Sequence, residues 1–203
     1  MARRSAEIFH PDFRAEPWWW QAAPPTEEGS ADPPERAEVA VIGAGYAGLS
    51  AALELARAGR TVAVLEAGAF GEGASSRNGG AVSGGSNLGR KLSGGAGGAA
   101  DARQAARLAE AAEALALVER LIEREGIDCA YARSGRFVGA YVPAHYDALA
   151  AKLDDLNRVA DAGARMVPRA EQRAEIGSDY YFGGMVAGLS GQLHPALYHR
   201  GLL

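Results

Sequence analysis

The stretch "VIGAGYAGLS", from Val41 to Ser50, decides the fold of this chain. Read together with the residues before it, "EVAVIG" is a short apolar run typical of a strand that is buried on both faces. From Tyr46 to Ala58, leucines and alanines recur at helical spacing, and Gly59 ends the pattern. A second apolar run, "TVAVLE", follows and ends at Glu66. The sequence therefore predicts a strand, a helix and a second strand, the unit from which parallel sheets are built.

The three glycines of this stretch, Gly43, Gly45 and Gly48, match the pattern G-x-G-x-x-G between a strand and a helix. In that pattern the first glycine permits a tight turn, the second lets a diphosphate approach the backbone, and the third permits close packing of helix on strand. Amides at the helix N-terminus then face the phosphates. Glu66 ends the second strand, where an acidic side chain in this motif accepts hydrogen bonds from ribose hydroxyls. Without the glycine pattern beside it, Glu66 would be interpreted as a solvated acid at a strand end. We therefore expect an adenine dinucleotide to bind here.

The residues that follow Glu66 are unusually rich in glycine. Glycine makes up 27 of the 203 residues, about twice its usual share, and the excess lies between Gly43 and Gly98. In a nicotinamide-binding unit the second strand leads into an amphipathic helix, which this much glycine would destabilise by about 1 kcal/mol per residue. The segment from Ala67 to Gly98 is better suited to wrapping a ligand closely, with a flexible linker as the alternative. Its polar side chains include Ser75, Ser76, Arg77 and Asn78.

At this point the chain resembles a known family. "VAVIGAGYAGLSAALELARAGRTVAVLEA" followed by "GEGASSRNGG" is similar to the N-terminal flavin-binding region of the D-amino-acid-oxidase-like flavoproteins, and within them to the gamma-glutamylputrescine oxidase type. The leader "EPWWWQAAPP" and the later "IGSDYYFGGMVAGLSGQLHPALYHRGL" extend the resemblance over residues 15–203. Family members continue well beyond the position of Leu203. The resemblance therefore implies an N-terminal half, with apolar sheet surface left uncovered, weak FAD binding and little activity by itself.

The resemblance also implies a chemistry, with FAD as the cofactor. A hydride passes from the carbon of a C–N bond in an amine or amino acid to flavin N5. Water then hydrolyses the imine, and oxygen or another acceptor reoxidises the flavin. Catalytic residues stay unassigned. The implied cofactor contacts are Gly43, Gly45, Tyr46, Ala47 and Gly48 along the diphosphate, Glu66 at the adenosine ribose, and Ser75, Arg77, Asn78, Gly79 and Gly80 along the ribityl chain and ring.

The expected fold class is α/β, with an FAD-binding Rossmann-like domain and part of an α+β substrate domain in an incomplete chain. Residues 1–37, which hold six of the nine prolines, are expected to form an extended leader. Residues 38–100 are expected to form the FAD-binding βαβ unit and the glycine-rich flavin loop. Residues 101–192 would form a helical arm and part of the substrate domain, and 193–203 would return to the FAD domain.

Periodicity predicts further elements beyond the glycine-rich segment. A helix is expected from an N-cap at Asp101 to Gly126, and a hairpin about "RSG" within "IDCAYARSGRFVGAY". One amphipathic helix is expected over 144–162, followed by a strand at "ARMV" and a short helix in "PRAEQRAEIG". A strand at "YYFGGMVAG" and a helix that begins at Pro195 complete the pattern.

The leader contains three adjacent tryptophans, Trp18, Trp19 and Trp20. Three consecutive indoles cannot all face one side of a regular element. We expect them to pin the leader onto the folded body, and the alternative is a lid or a partner-binding patch.

Composition excludes several classes of function. The chain has 21 basic and 25 acidic residues, which is not the basic footprint of a nucleic-acid-binding protein. Its only cysteine, Cys129, excludes an intramolecular disulfide and a cysteine-cluster metal site, and its alternating surroundings predict a buried apolar thiol. Neither an export signal nor a membrane-spanning run is evident, so a cytoplasmic protein is expected.

The chain has four histidines, which are expected at the surface or in packing: His10, His145, His194 and His199. Of these, His194 is the strongest candidate for a position near the flavin.

Two other functions stay open. The chain could be an NAD(P)-dependent dehydrogenase, which the glycine-rich segment disfavours. It could also be a truncated, non-catalytic nucleotide-binding module. The amine, the electron acceptor and the oligomeric state are not determined by these patterns.

Overall fold

This computed structural model of the protein describes residues 9–29, 31–85 and 99–203. The chain divides into two compact units: residues up to Arg77 together with Pro195–Leu203, and Asn78–His194. Some expected segments lie partly outside the described residues. In the expected leader these positions are 1–8 and 30, and in the expected glycine-rich segment they are 86–98. Each helix within the described ranges is too short or too polar to cross a membrane.

The first unit is a parallel strand pair with a crossover helix. Strand β1 spans Val39–Ile42, helix α1 spans Tyr46–Arg57, and strand β2 spans Val62–Leu65. The two strands pair in parallel along their full length, which requires a crossover connection, and α1 supplies it. The last helix of the chain, α6 at Pro195–Leu202, belongs to this unit and contacts α1. The predicted strand–helix–strand unit and the helix that begins at Pro195 are confirmed.

The two faces of this strand pair have different surroundings. Helix α1 buries Leu49 and Ala52, and it approaches the face of the sheet that carries Val41. On the other face Ile42 lies opposite Leu65, and these two side chains are 88% and 41% exposed. The expectation that apolar sheet surface would be left uncovered is therefore confirmed for this strand pair.

Within its described residues, the second unit combines two antiparallel sheets with four helices. In one sheet the central strand β6 pairs with β4 on one side and with β5 on the other, and in the other sheet β3 pairs with β7. The elements of this unit are β3 (Ala81–Ser83), α2 (Ala99–Glu125), β4 (Arg136–Gly139), α3 (Pro143–Ala150), α4 (Leu153–Ala160), β5 (Arg165–Val167), α5 (Gln172–Ile176), β6 (Gly184–Ala187) and β7 (Ser190–Gln192). The parallel pair of the first unit agrees with the expected α/β class, and the antiparallel sheets of the second unit agree with the expected α+β part.

The core of the second unit lies between α2, α4 and β6. Leu108 and Leu115 from α2 are 1% and 2% exposed, and they pack with Leu156 from α4 and Met185 from β6. Cys129 is also buried, as expected, and burial raises the pKa of its thiol.

The helix predicted over 144–162 is in fact two helices, α3 and α4. The amide of Lys152 donates to the carbonyl of Leu149, three residues back, which replaces the four-residue spacing of an α-helix. The break has a physical reason, because α3 contacts β6 whereas α4 contacts α2.

The hairpin predicted about "RSG" is wrong. Strand β4 after the turn pairs with β6, and Ala132 before the turn forms an isolated bridge with Gln192. Just before that bridge, Ala130 has φ +50°, a left-handed conformation that interrupts an extended strand. Two short strands, β3 and β7, were missed because each has only three residues, too few to show an apolar alternation. Helix α2 also begins at Ala99, earlier than the predicted N-cap at Asp101.

We expect Leu115→Ala to lower the free energy of unfolding by about 2–5 kcal/mol, because it removes buried methyl groups and leaves a cavity. The matched control is Leu117→Ala on the same helix, where the side chain is 54% exposed and the change should cost less than about 1 kcal/mol. Urea unfolding followed by circular dichroism measures both values. Equal losses in the two variants would contradict the assigned core.

Candidate functional site: the turn between β1 and α1

The turn after β1 brings the start of α1 against the end of the strand. Gly43 has φ +95°, and its amide donates to the carbonyl of Leu65 at 2.7 Å, which joins the ends of β1 and β2. A Cβ atom placed on Gly48 would lie 1.9 Å from the carbonyl oxygen of Gly43. Any side chain at Gly48 would therefore force the helix away from the turn, as the third glycine of the pattern predicts.

The first turn of α1 offers backbone donors. The first four amides of an α-helix lack a carbonyl partner within the helix, and the N-terminal end of the helix dipole is positive. Here the amide of Leu49 already donates to the carbonyl of Gly45 at 2.9 Å, and the amide of Tyr46 donates to the Ser75 hydroxyl at 3.0 Å. Of the first four amides, those of Gly45, Ala47 and Gly48 are therefore the donors that this turn can offer to an anion.

The space in front of the turn is narrow. A Cβ atom on Gly45 would lie 3.1 Å from the Ser75 hydroxyl oxygen, so a side chain there would fill the approach to the helix N-terminus. Ser75 lies in a short 3₁₀ helix, Ala74–Ser76, which also contacts α6. The bare backbone, the converging amides and the hydroxyl together fit a diphosphate.

Glu66 lies directly beside this turn. One carboxylate oxygen, Oε2, accepts the amide of Ala44 at 2.8 Å, and the other, Oε1, accepts the amides of Ala67 at 2.8 Å and Gly68 at 3.4 Å. The Ala44 amide, followed by that of Ala67, lowers the pKa of the Glu66 carboxyl below its usual value. Each carboxylate oxygen has two acceptor positions, so Oε2 keeps one for a sugar hydroxyl.

The leader covers the 3₁₀ helix that carries Ser75. The Trp20 indole donates to the Ser76 hydroxyl at 2.8 Å, and Ser76, 1% exposed, in turn donates to the carbonyl of Gly71. The guanidinium of Arg77 lies 6.0 Å from the Trp20 ring centre, within cation–π range. For Trp20 the expectation that the tryptophans pin the leader is confirmed, whereas Trp18 is 70% exposed.

Three of the expected flavin contacts, Asn78, Gly79 and Gly80, belong to the second unit. The Asn78 side-chain oxygen accepts the amide of Gly80 at 2.8 Å, which is a local turn, and the carbonyl of Gly80 accepts the amide of Leu193. The role of these three residues at the flavin stays a prediction.

Sequence reasoning expected His199 at the surface or in packing, but it missed the contact that this histidine makes with the turn. His199 on α6 is 3% exposed, and its Nε2 atom lies 2.6 Å from the carbonyl oxygen of Ala44. The two residues are 155 positions apart in the chain, so local periodicity carries no signal for their contact. His10 and His145 are exposed, as expected, and His194 is half-buried in the second unit, where its amide donates to the carbonyl of Cys129.

The side chain of Tyr46 also has an additional role. The sequence places Tyr46 along the diphosphate, and its amide does lie in the turn. Its hydroxyl, however, donates to the carbonyl of Pro195 at 3.1 Å, and its ring packs edge-on against Tyr198. Tyr46 therefore fastens the beginning of α1 to α6.

Comparisons with known proteins identify the family of this chain. A family profile described as FAD dependent oxidoreductase (DAO) matches residues 38–203, so the chain belongs to this family. It is 32% identical over 168 residues to the probable oxidoreductase OrdL of Haemophilus influenzae, covering 83% of this chain and 38% of that protein. It is 33% identical over 158 residues to the gamma-glutamylputrescine oxidoreductase of Escherichia coli, covering 78% and 36%.

A solved structure shares the fold. Glycine oxidase from Geobacillus kaustophilus superposes with a TM-score of 0.58 at 25% identity, over 82% of this chain and 43% of that one. The chain thus spans less than half the length of each of these three proteins. The expected family and its cofactor, FAD, are confirmed at the level of the family.

We expect Gly48→Ala to destabilise the protein by at least about 2 kcal/mol, because the new methyl group would overlap the Gly43 carbonyl. Gly73→Ala is the matched control: Gly73 has φ −75°, and a Cβ there meets nothing within 4 Å. The control should change stability by less than about 1 kcal/mol. Thermal unfolding of both variants tests this, and a tolerated Gly48→Ala would contradict the close approach.

The hydrogen bonds to Glu66 predict that the stability of the folded protein depends on pH. Because its pKa is lowered in the folded state, ionised Glu66 contributes stability above the unfolded pKa, and this contribution is lost as pH falls through the folded pKa. The difference in unfolding free energy between wild type and Glu66→Gln should therefore be largest near neutral pH and should shrink below about pH 4. Glu54→Gln, at an exposed position on α1, is the control. A difference that grew on acidification would contradict the assigned bonds.

Proposed function

We propose that this member of the FAD dependent oxidoreductase family binds FAD at the turn between β1 and α1 and oxidises a C–N bond of an amine or amino acid. The observation that carries the proposal is the close approach of Gly48 to Gly43, which sets backbone amides beside the carboxylate of Glu66. This arrangement offers donors for phosphate oxygens and an acceptor for sugar hydroxyls within one turn.

The amides of Ala47 and Gly48 would hold the diphosphate, with Gly45 leaving room for it and Tyr46 anchoring the helix. The positive end of the helix dipole adds a favourable interaction with the negative charge, typically about 0.3–1 kcal/mol. Ser75 already contacts the first amide of the helix, so its hydroxyl would reorient between that amide and a phosphate oxygen.

Glu66 would accept a hydrogen bond from the adenosine ribose. The amide of Ala44 holds Oε2 at the edge of the turn, and the lowered pKa keeps the carboxylate ionised and acceptor-only at neutral pH. The family resemblance supports placing five further residues along the flavin half of the cofactor: Ser75, Arg77, Asn78, Gly79 and Gly80.

Bound FAD would supply a hydride acceptor, N5 of its ring, for the carbon beside the substrate nitrogen. The amine or amino-acid class is supported by the names of two related proteins, a gamma-glutamylputrescine oxidoreductase and a glycine oxidase. Oxygen as the final electron acceptor and a small-molecule amine as substrate belong to the same proposal.

Binding is tested by titrating FAD into the purified protein and following flavin fluorescence. Gly45→Leu should weaken FAD binding at least about 100-fold, because the side chain would fill the space beside Ser75. Gly73→Leu, which points into open space, should leave the affinity within about threefold. Circular dichroism confirms folding of each variant. Wild-type protein that bound NADH and not FAD, or a Gly45→Leu variant that kept its flavin, would refute the proposal.

The reaction class is tested with the FAD-loaded full-length gene product, mixed anaerobically with candidate substrates. We expect gamma-glutamylputrescine or glycine to bleach the visible flavin absorbance, since a C–N bond is oxidised. Glycolate, which replaces the amino group of glycine by a hydroxyl, should not. Bleaching by glycolate alone would show that the C–N assignment is wrong.

A further inference from the structure

Helix α6 buries a polar side chain that the proposed chemistry does not use. His199 is 3% exposed, and a buried imidazole is costly unless its polar atoms are hydrogen-bonded. Its partner is the carbonyl oxygen of Ala44, 2.6 Å from Nε2. Because a carbonyl can only accept, Nε2 carries the proton and donates.

Ala44 is therefore held through both of its backbone groups. Its amide donates to Glu66, and its carbonyl accepts from His199. Ala44 itself is 2% exposed, so water does not compete freely for either group. Two side chains from distant parts of the chain thus fix one residue of the glycine turn.

The direction of the next amide follows from peptide geometry. The Ala44 carbonyl and the Gly45 amide belong to one planar peptide group, which is trans like the other peptide bonds in the described part of the chain. In a trans peptide the C=O and N–H vectors point in opposite directions. When His199 holds the carbonyl, the Gly45 amide must point away from α6.

Helix α6 is itself fastened to the same turn and to the leader. The Tyr46 hydroxyl donates to the carbonyl of Pro195 at 3.1 Å, and the Arg200 guanidinium donates to the carbonyl of Pro24 at 2.7 Å. The imidazole of His199 is therefore placed on a helix that is held at two further points. It acts on the turn from a fixed position.

We propose that His199 is a positioning residue that orients the Gly45 amide for the diphosphate of the bound dinucleotide. This inference rests on the proposed function. His199 is not assigned to the chemistry of the substrate. Its role is to prevent the Ala44–Gly45 peptide from rotating, so that the Gly45 amide joins those of Ala47 and Gly48 as a donor.

Three substitutions separate this role from simple packing. His199→Leu keeps an apolar volume but removes the donor. His199→Gln carries an amide nitrogen that can reach the position of Nε2, whereas the shorter His199→Asn cannot. Affinities for FAD, ADP and adenosine are measured with the full chain by isothermal titration calorimetry. FAD and ADP contain the diphosphate, and adenosine has the same sugar and base without it.

We expect His199→Leu and His199→Asn to lower the affinities for FAD and ADP by about tenfold. The affinity of both variants for adenosine should stay within about threefold of wild type. His199→Gln should bind FAD and ADP with affinities within about threefold of those of wild type. If the Leu variant fails to fold, the Gln and Asn pair decides. Equal FAD affinities in that pair, or an equal loss for adenosine, would overturn the role of His199 while leaving FAD binding intact. Wild-type protein that bound neither FAD nor ADP would overturn the proposed function and this inference together.

Discussion

The contact between Gly48 and the carbonyl of Gly43 is the constraint on which the first unit depends. No side chain fits between them, because a Cβ atom would lie 1.9 Å from the carbonyl oxygen. The absence of that atom lets α1 begin directly against the end of β1. The amides of its first turn then lie in the same small region as the end of β2, where Glu66 is located. A larger residue at Gly48 would separate these groups, and the turn would lose its donors and its acceptor at once.

The turn is also held from outside the strand–helix–strand unit. Glu66 binds the amide of Ala44, and His199 binds its carbonyl, so a residue without a functional side chain is fixed by two charged or titratable ones. Tyr46 adds a third connection, to Pro195. Neutral hydrogen bonds such as those of His199 and Tyr46 each contribute only about 0.5–1.5 kcal/mol to stability. Their value to a binding site lies in preorganisation, since a turn that is already oriented loses less entropy when a ligand binds.

The parts of the fold that the sequence predicts well are those with local causes. The glycine spacing, the apolar runs around it and Gly59 define β1, α1 and β2 to within two residues, because turn geometry and helix termination depend on neighbours in the chain. The failures come from long-range pairing. The 144–162 pattern is split since its two halves pack on different elements, and β4 pairs with β6 rather than with the residues before "RSG". The contact between His199 and Ala44 was missed for the same reason, because the two residues are 155 positions apart in the chain.

The central claim is that the backbone amides of this turn hold the diphosphate of FAD while Glu66 binds the ribose of its adenosine half. A crystal structure of the protein with FAD tests it most directly. The account predicts diphosphate oxygens about 3 Å from the amide nitrogens of Ala47 and Gly48, and a ribose hydroxyl within hydrogen-bond distance of Glu66 Oε2. A diphosphate bound elsewhere, or a Glu66 carboxylate turned away from the sugar into solvent, would contradict it.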